Sequence, residues 1–299
     1  MKYLLGPANK GHGASKVLFS FAKDYNLEYV TFYSIRGILL WLNSIVDRRP
    51  VIYAPSVSRF QHFLSPGYLR DIVFIFFSTL LFPFRNHPIY FYNSQINFKS
   101  NRISPFLYRL ISKRILIGPA RPLHVLDHEI LYYYSESMVV NANFSYDISK
   151  NILVWHLGYS TREKGWHEFK KLSKESKFKF MYAGRSEVID ISAEIIDEVP
   201  AKFVGEKYVD ELNLFLFLSE SDLFPLVVIE AINNGFVVVT IKNTFSELIL
   251  DRMFRGQKCF LSIESIDLLS TECLEKSVVD IQRALNEFRQ VQLLSRKYG

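Results

Sequence analysis

The stretch LNLFLFLSESDLFPLVVIEAINNGFVVVTI, residues 212–241, reads as a strand, a polar turn, a helix and a second strand. LNLFLFLS is almost continuously apolar and stops at Ser219, as a strand buried on both faces does. Pro225 falls where the first helical position belongs, since its fixed φ suits that position and its missing N–H costs nothing there. PLVVIEAINNG follows as a helix closed by Gly235, and FVVVTI as the next strand. The helix N-terminus therefore lies at the carboxyl end of a strand. Amides around Leu226, Val227 and Val228 would make an anion site there, suited to a phosphate. Glu230, inside LVVIEAI, needs a partner, because burying a lone carboxylate is costly. A structural ion pair or a solvated edge is one reading, and a contact to a ligand hydroxyl is the other. Asp222 lies eight residues earlier, in the turn before the helix.

The same alternation extends in both directions. NILVWHL, FKFMYAG and the strand at 212 are separated by the helical EKGWHEFKKLSKE and a glycine turn, which is a doubly wound pattern with ligands expected at the strands' carboxyl ends. From about 272 a helical segment ends the chain. Before residue 150, KYLLGP (2–7), EYVTFYS, VIYAP and IYFYN read as strands, and GASKVLFSFAKDY (13–25), RGILLWLNSIVDRR and SPFLYRLISKRIL carry helical spacing. The stretch at 132–149 opens with the last strand of this half. Two Rossmann-like lobes facing across a cleft, 1–149 and 150–299, are the expected α/β architecture.

A chain of 299 residues is about twice a typical domain and suits that division. Hydrophobic residues at 49% against 22% charged exclude a disordered chain. The two cysteines, Cys259 and Cys273, form no C-x-x-C pair, so neither a disulfide framework nor a cysteine zinc site is expected, and a reducing compartment fits. The N-terminus carries no secretory signal pattern. The longest apolar run, IVFIFFSTLLFPF at 72–84, is shorter than a spanning helix. With Arg70 and Arg85 around it and YRLISKR further on, it reads as a core helix or as an interfacial anchor. Charge is unequal: residues 1–150 hold 17 Lys+Arg against 8 Asp+Glu, and the remainder 19 against 22. The basic half is the one suited to a polyanion such as a membrane surface or phosphorylated ligand.

SDLFPLVVIEAINNGFVVVT resembles the Glu-x7-Glu segment of glycosyltransferase family 4, the retaining nucleotide-sugar transferases of GT-B fold. Asp222 takes the place of the first Glu and Glu230 of the second, with Phe224, Pro225, Leu226 and Val227 between them. The resemblance implies that Glu230 binds ribose hydroxyls, that Asp222 approaches the donor sugar, and that the intervening amides hold sugar and phosphate. Asp for Glu shortens the first arm by a methylene. TREKGWHEF (161–169) resembles the KG at the head of the first helix of that lobe, which makes Lys164 the cation facing the donor diphosphate. An arginine usual about five residues earlier is replaced by Tyr159, with Arg162 a candidate substitute.

MYAGRSE (181–187) matches the strand-to-glycine turn bordering the nucleotide, where Gly184 permits close approach and Arg185 reaches the ligand; a plain turn is the other reading. NKGHGASKV (9–17) resembles the glycine-rich loop after the first strand, with His12 for its first glycine and Gly13 for its second. Gly6 and Gly11 have P-loop spacing, but His12 and Gly13 stand where Lys and Ser/Thr belong. His124 and His128 in RPLHVLDHEIL are the remaining histidines assigned to sugar or acceptor. No D-x-D or metal-ligand spacing occurs, so no metal or other cofactor is expected. The resemblance implies front-face transfer from a nucleoside diphosphate sugar to a saccharide or lipid-linked acceptor, in bacterial surface polysaccharide assembly, with no nucleic acid involved. A cytoplasmic protein touching the membrane through its N-terminal lobe fits that acceptor. A degenerate GT-B protein that only binds, and a nucleotide-sugar epimerase of similar architecture, are the alternatives.

Overall fold

The computed structural model describes residues 3–6, 13–31, 34–46, 52–53, 89–91, 116–118, 130–141, 151–184, 194–197, 208, 210–220 and 225–298. The chain divides into two compact units, Met1–Ser137 with Ser295–Gly299, and Met138–Leu294.

The first unit holds a six-stranded parallel sheet of β1 (Tyr3–Gly6), β2 (Glu28–Thr31), β3 (Ile52–Tyr53), β4 (Ile89–Phe91), β5 (Leu116–Gly118) and β6 (Ile130–Tyr132), ordered β2-β1-β3-β4-β5-β6. Helix α1 (Gly13–Asp24) buries Leu18, Phe21 and Ala22, three residues on one face at helical spacing. Phe21 meets the Tyr133 ring edge-on at 4.8 Å, and the Tyr133 hydroxyl donates to Asp24 at 2.7 Å. Helix α2 (Ile35–Val46) follows β2. The expected helix at SPFLYRLISKRIL lies outside the described residues, apart from Leu116, which opens β5 instead. The strand expected at the start of 132–149 ends at Tyr132.

The second unit holds β7 (Ile152–Leu157), β8 (Lys179–Gly184), β9 (Glu194–Asp197), β10 (Leu212–Leu216), β11 (Val237–Ile241) and β12 (Leu261–Ile263), all parallel and ordered β12-β11-β10-β7-β8-β9. Helices α3 (Trp166–Glu175), α4 (Leu226–Asn233) and α5 (Phe245–Met253) connect the strands, and α6 (Thr271–Tyr298) closes the chain. Every residue of β10 is buried, which is why its sequence does not alternate. On α6 the buried positions Leu274, Val278, Ile281, Leu285, Phe288 and Gln292 recur every three or four residues as a single stripe.

The last of these is polar and fully occupied. Gln292 accepts from the Val140 N–H at 2.9 Å and donates to the Met138 carbonyl at 2.7 Å. Asn233 does the same one residue along, accepting from the Asn141 N–H at 2.6 Å and donating to the Val139 carbonyl at 3.0 Å. Two side-chain amides thus bind the backbone of one short segment, Met138 to Asn141. The segment so attached begins the second compact unit, which starts at Met138.

Candidate functional site

In the second unit β7 and β10 are central neighbours; β8 and β9 extend from one side, β11 and β12 from the other. Strand order reverses between β7 and β10, and in open parallel sheets ligands bind beyond the carboxyl ends at that reversal. The pair is locked lower down by the buried Trp155 Nε1–H, which donates to Asn213 Oδ1 at 2.8 Å.

Beyond Leu157 the chain turns sharply. Gly158 takes φ +107°, donates its N–H to the Ala183 carbonyl at 2.9 Å, and accepts the Tyr182 hydroxyl at 3.0 Å. Gly184, at φ +154°, lies against the Gly158 carbonyl, and any Cβ there would collide with it. The close approach that Gly184 permits is thus to the chain's own backbone. A 3-10 turn, Arg162–Lys164, ends in Gly165 at φ +78°, where a Cβ would strike Leu218 at the end of β10. The Glu220 N–H and the Ser219 hydroxyl both donate to the Glu163 carbonyl, at 2.9 and 3.3 Å. Lys164 is therefore carried by a turn stapled to the chain that leads from β10 into α4.

At the head of α4, Pro225 is buried and serves as N-cap rather than first helical residue, because its ψ of 110° is extended. Its carbonyl accepts the Val228 N–H at 3.0 Å. Of the three amides expected to be open, Val228 is thus used within the helix. Among the described residues the amides of Leu226 and Val227 have no partner and no side chain caps this end, and no acid stands in the helix's first turn. Glu230 is exposed, with no ion pair among the described residues. Of the readings open for Glu230, its exposure fits a solvated edge and leaves a ligand contact available: Val228, Ile229, Ala231 and Ile232 take the buried arc, with Glu230 on the same open face as Leu226.

Lys164, Pro225, Leu226, Val227 and Glu230 are thus gathered around the end of β10, while Gly13 begins α1 in the first unit. Asp222, Phe224, Arg185, His12, His124 and His128 lie outside the described residues, as does the apolar run at 72–84. Among the described residues no group of three His, Cys, Asp or Glu stands together, and no helix is long and apolar enough to cross a membrane.

His156, near the end of β7, stands beside this loop and was passed over in the sequence reading. It is 2% exposed, packed between the rings of Trp166, Phe169 and Tyr182 at 5.4, 5.2 and 5.8 Å, with Nε2 3.3 Å from the Tyr159 carbonyl and no partner for Nδ1 among the described residues. Burial, with the Lys164 charge nearby, pushes its pKa down to about 4, so the ring is neutral at physiological pH. The available signal was a lone histidine within the apolar run ILVWHL.

No protein-family model matches the chain, and no curated protein does. Solved structures do. HepE of Anabaena in complex with UDP is 13% identical, with 99% of this chain and 95% of that one covered and a TM-score of 0.55. The same protein with UDP-glucose is 12% identical over 99% and 95%, with a TM-score of 0.52. WaaG, a glycosyltransferase involved in lipopolysaccharide biosynthesis, is 11% identical over 100% and 94%, with a TM-score of 0.47. With two doubly wound parallel sheets and this likeness, the chain has the α/β GT-B fold.

Proposed function

We propose that the chain is a retaining glycosyltransferase, similar to family 4, that takes a sugar from a nucleoside diphosphate donor held by its second unit. The observation that carries this reading is the open head of α4 with the Lys164 turn stapled beside it. Free amides and a helix N-terminus favour a diphosphate, and a nearby ammonium stabilises the charge that develops as it leaves. Glu230, one turn along the same face from Leu226, is within reach of ribose hydroxyls. The HepE complexes with UDP and UDP-glucose support a donor of this class.

In this mechanism the acceptor hydroxyl attacks on the face from which the diphosphate departs, and the diphosphate oxygen takes its proton. Asp222 orients the sugar, and no metal is required. The basic first 149 residues receive a saccharide or lipid-linked acceptor at the inner membrane surface, and the two free thiols fit a cytoplasmic setting. A second reading, binding without transfer, is favoured by Tyr159, which is 56% exposed and brings no cation to the loop.

Thermal shifts with UDP, GDP, ADP and CMP test the donor reading. One diphosphate is expected to raise the Tm, with Glu230→Gln binding it about tenfold more weakly and unfolding as the parent does. No response to any of the four sinks the donor reading. Nucleoside diphosphate release from a panel of sugar donors separates transfer from binding alone.

A further inference from the structure

The loop after β7 has its peptide orientation set from the core side. The Gly158 carbonyl accepts the Tyr182 hydroxyl at 3.0 Å, and the Tyr159 carbonyl lies 3.3 Å from His156 Nε2. A carbonyl only accepts, so Nε2 carries the ring's proton. The described peptide bonds are all trans, and in a trans peptide the carbonyl and the following N–H point to opposite sides. With the Gly158 carbonyl drawn toward Tyr182, the Tyr159 N–H faces away from the aromatic core, beyond the carboxyl end of β7. That N–H has no partner among the described residues. The Gly158 φ of +107° keeps this orientation accessible to glycine and strained for other residues.

The side chains that hold the loop are otherwise hard to explain. A phenylalanine at 156 would fill the space between Trp166, Phe169 and Tyr182 without leaving a bare buried Nδ1. The one bond gained by having histidine there goes to the loop.

We propose that His156 and Tyr182 are positioning residues for the donor diphosphate: by drawing the Tyr159 and Gly158 carbonyls inward they present the Tyr159 N–H as a hydrogen-bond donor to a phosphate oxygen, in the loop that also carries Lys164. The inference rests on the nucleotide-donor reading and adds to it two side chains that touch no ligand themselves. A backbone amide held this way costs no rearrangement when the anion arrives.

Calorimetry on the full chain with UDP, then GDP and ADP, identifies the diphosphate that binds. Its nucleoside is followed in parallel by ligand-observed NMR. Tyr182→Phe and His156→Phe are each expected to bind the diphosphate about fivefold more weakly, the worth of one hydrogen bond, with nucleoside affinity unchanged. His156→Gln, whose side-chain N–H reaches the same carbonyl, recovers most of the loss. Tyr182→Phe removes a single oxygen and is a complete test even if His156→Phe does not fold. Unchanged diphosphate affinity in Tyr182→Phe overturns the inference while leaving the donor reading standing. So does an equal loss for nucleoside and diphosphate, which would mean general loosening. A parent protein that binds no nucleoside diphosphate overturns the donor reading, and this inference with it.

Discussion

Two helices of the second unit leave adjacent strands, and their N-termini are finished in opposite ways. At α5, Thr244 accepts the Glu247 N–H at 3.3 Å, Glu247 accepts the Asn243 N–H at 2.7 Å, and the Ser262 hydroxyl donates to the same carboxylate. This end supplies its own anion. At α4 a proline precedes the first turn, and among the described residues no side chain caps it and the Leu226 and Val227 amides have no partner. One helix start is closed by its own sequence, and the other retains its positive end for something else. Since a cap contributes about 1 kcal/mol, the uncapped end is stability forgone at the point where strand order reverses.

The contrast is sharpest in what neighbouring lysines do. Lys242 and Lys258 lie near Glu247 and help hold its carboxyl below the usual range, after the larger effect of the Ser262 hydrogen bond. Lys164 sits in a turn bonded to Ser219 and Glu220, on the chain that leads from β10 toward α4. Lys164→Ala should lower kcat about 100- to 1000-fold, with donor KM changed far less, because the charge it meets grows as the diphosphate departs. Lys242→Ala should leave kcat untouched. Equal turnover in the two variants, read by nucleoside diphosphate release, would break the contrast.

Acid should affect the two corners at different pH. His156 titrates at 6.5 in an unfolded chain and near 4 in the folded one, so the unfolded state binds more protons between those values. Stability is therefore complete above about pH 6.5 and declines as pH falls toward 4, by up to about 3 kcal/mol. Glu247, with its folded pKa lowered, contributes above the usual carboxylate value and loses that contribution only as pH falls through its lower folded one. Urea unfolding from pH 7 to 4 should show the slope at its steepest between 6.5 and 4, and His156→Gln should flatten it. An unchanged slope in that variant would mean the imidazole is not held neutral by the fold.

Much of this was legible in the residues. β10, α4 and β11 were readable because strands buried on both faces are continuously apolar and because Pro225 and Gly235 bracket the helix. The strands β5, β9 and β12 were not: β5 begins at Leu116, the last residue of a stretch with helical spacing, and β9 and β12 hold only two apolar residues each, beside polar ones. Helix α5 was passed over although Thr244 and Glu247 have capping-box spacing. Lys164 and Glu230 were singled out through motif spacing, and the solvated edge among the readings of Glu230 is the one its exposure fits: in a helix as short as α4, a mostly apolar sequence still leaves one face open. His156 carried no motif, and Tyr182 stood inside MYAGRSE with no role of its own. Their part depends on which carbonyl each reaches, and that is fixed by pairing between β7 and β8 rather than by anything local.

The two helix starts can be exchanged in character by single substitutions. Val227→Asp puts a carboxylate in the first turn of α4, where it takes up the free amides and complements the helix dipole. Diphosphate affinity should fall about tenfold or more, while the Tm holds or rises slightly, since Val227 is only half-buried. Thr244→Ala opens α5 instead; it should cost about 1 kcal/mol of stability, lowering the Tm by about 2 to 4 °C, with diphosphate affinity unchanged. If Thr244→Ala weakened binding as much as Val227→Asp, or if Val227→Asp left affinity intact, the open end of α4 would be no more a ligand site than the closed end of α5. If affinity and stability instead move in opposite directions in the two variants, the missing cap on α4 is the cost of keeping its amides available to an anion.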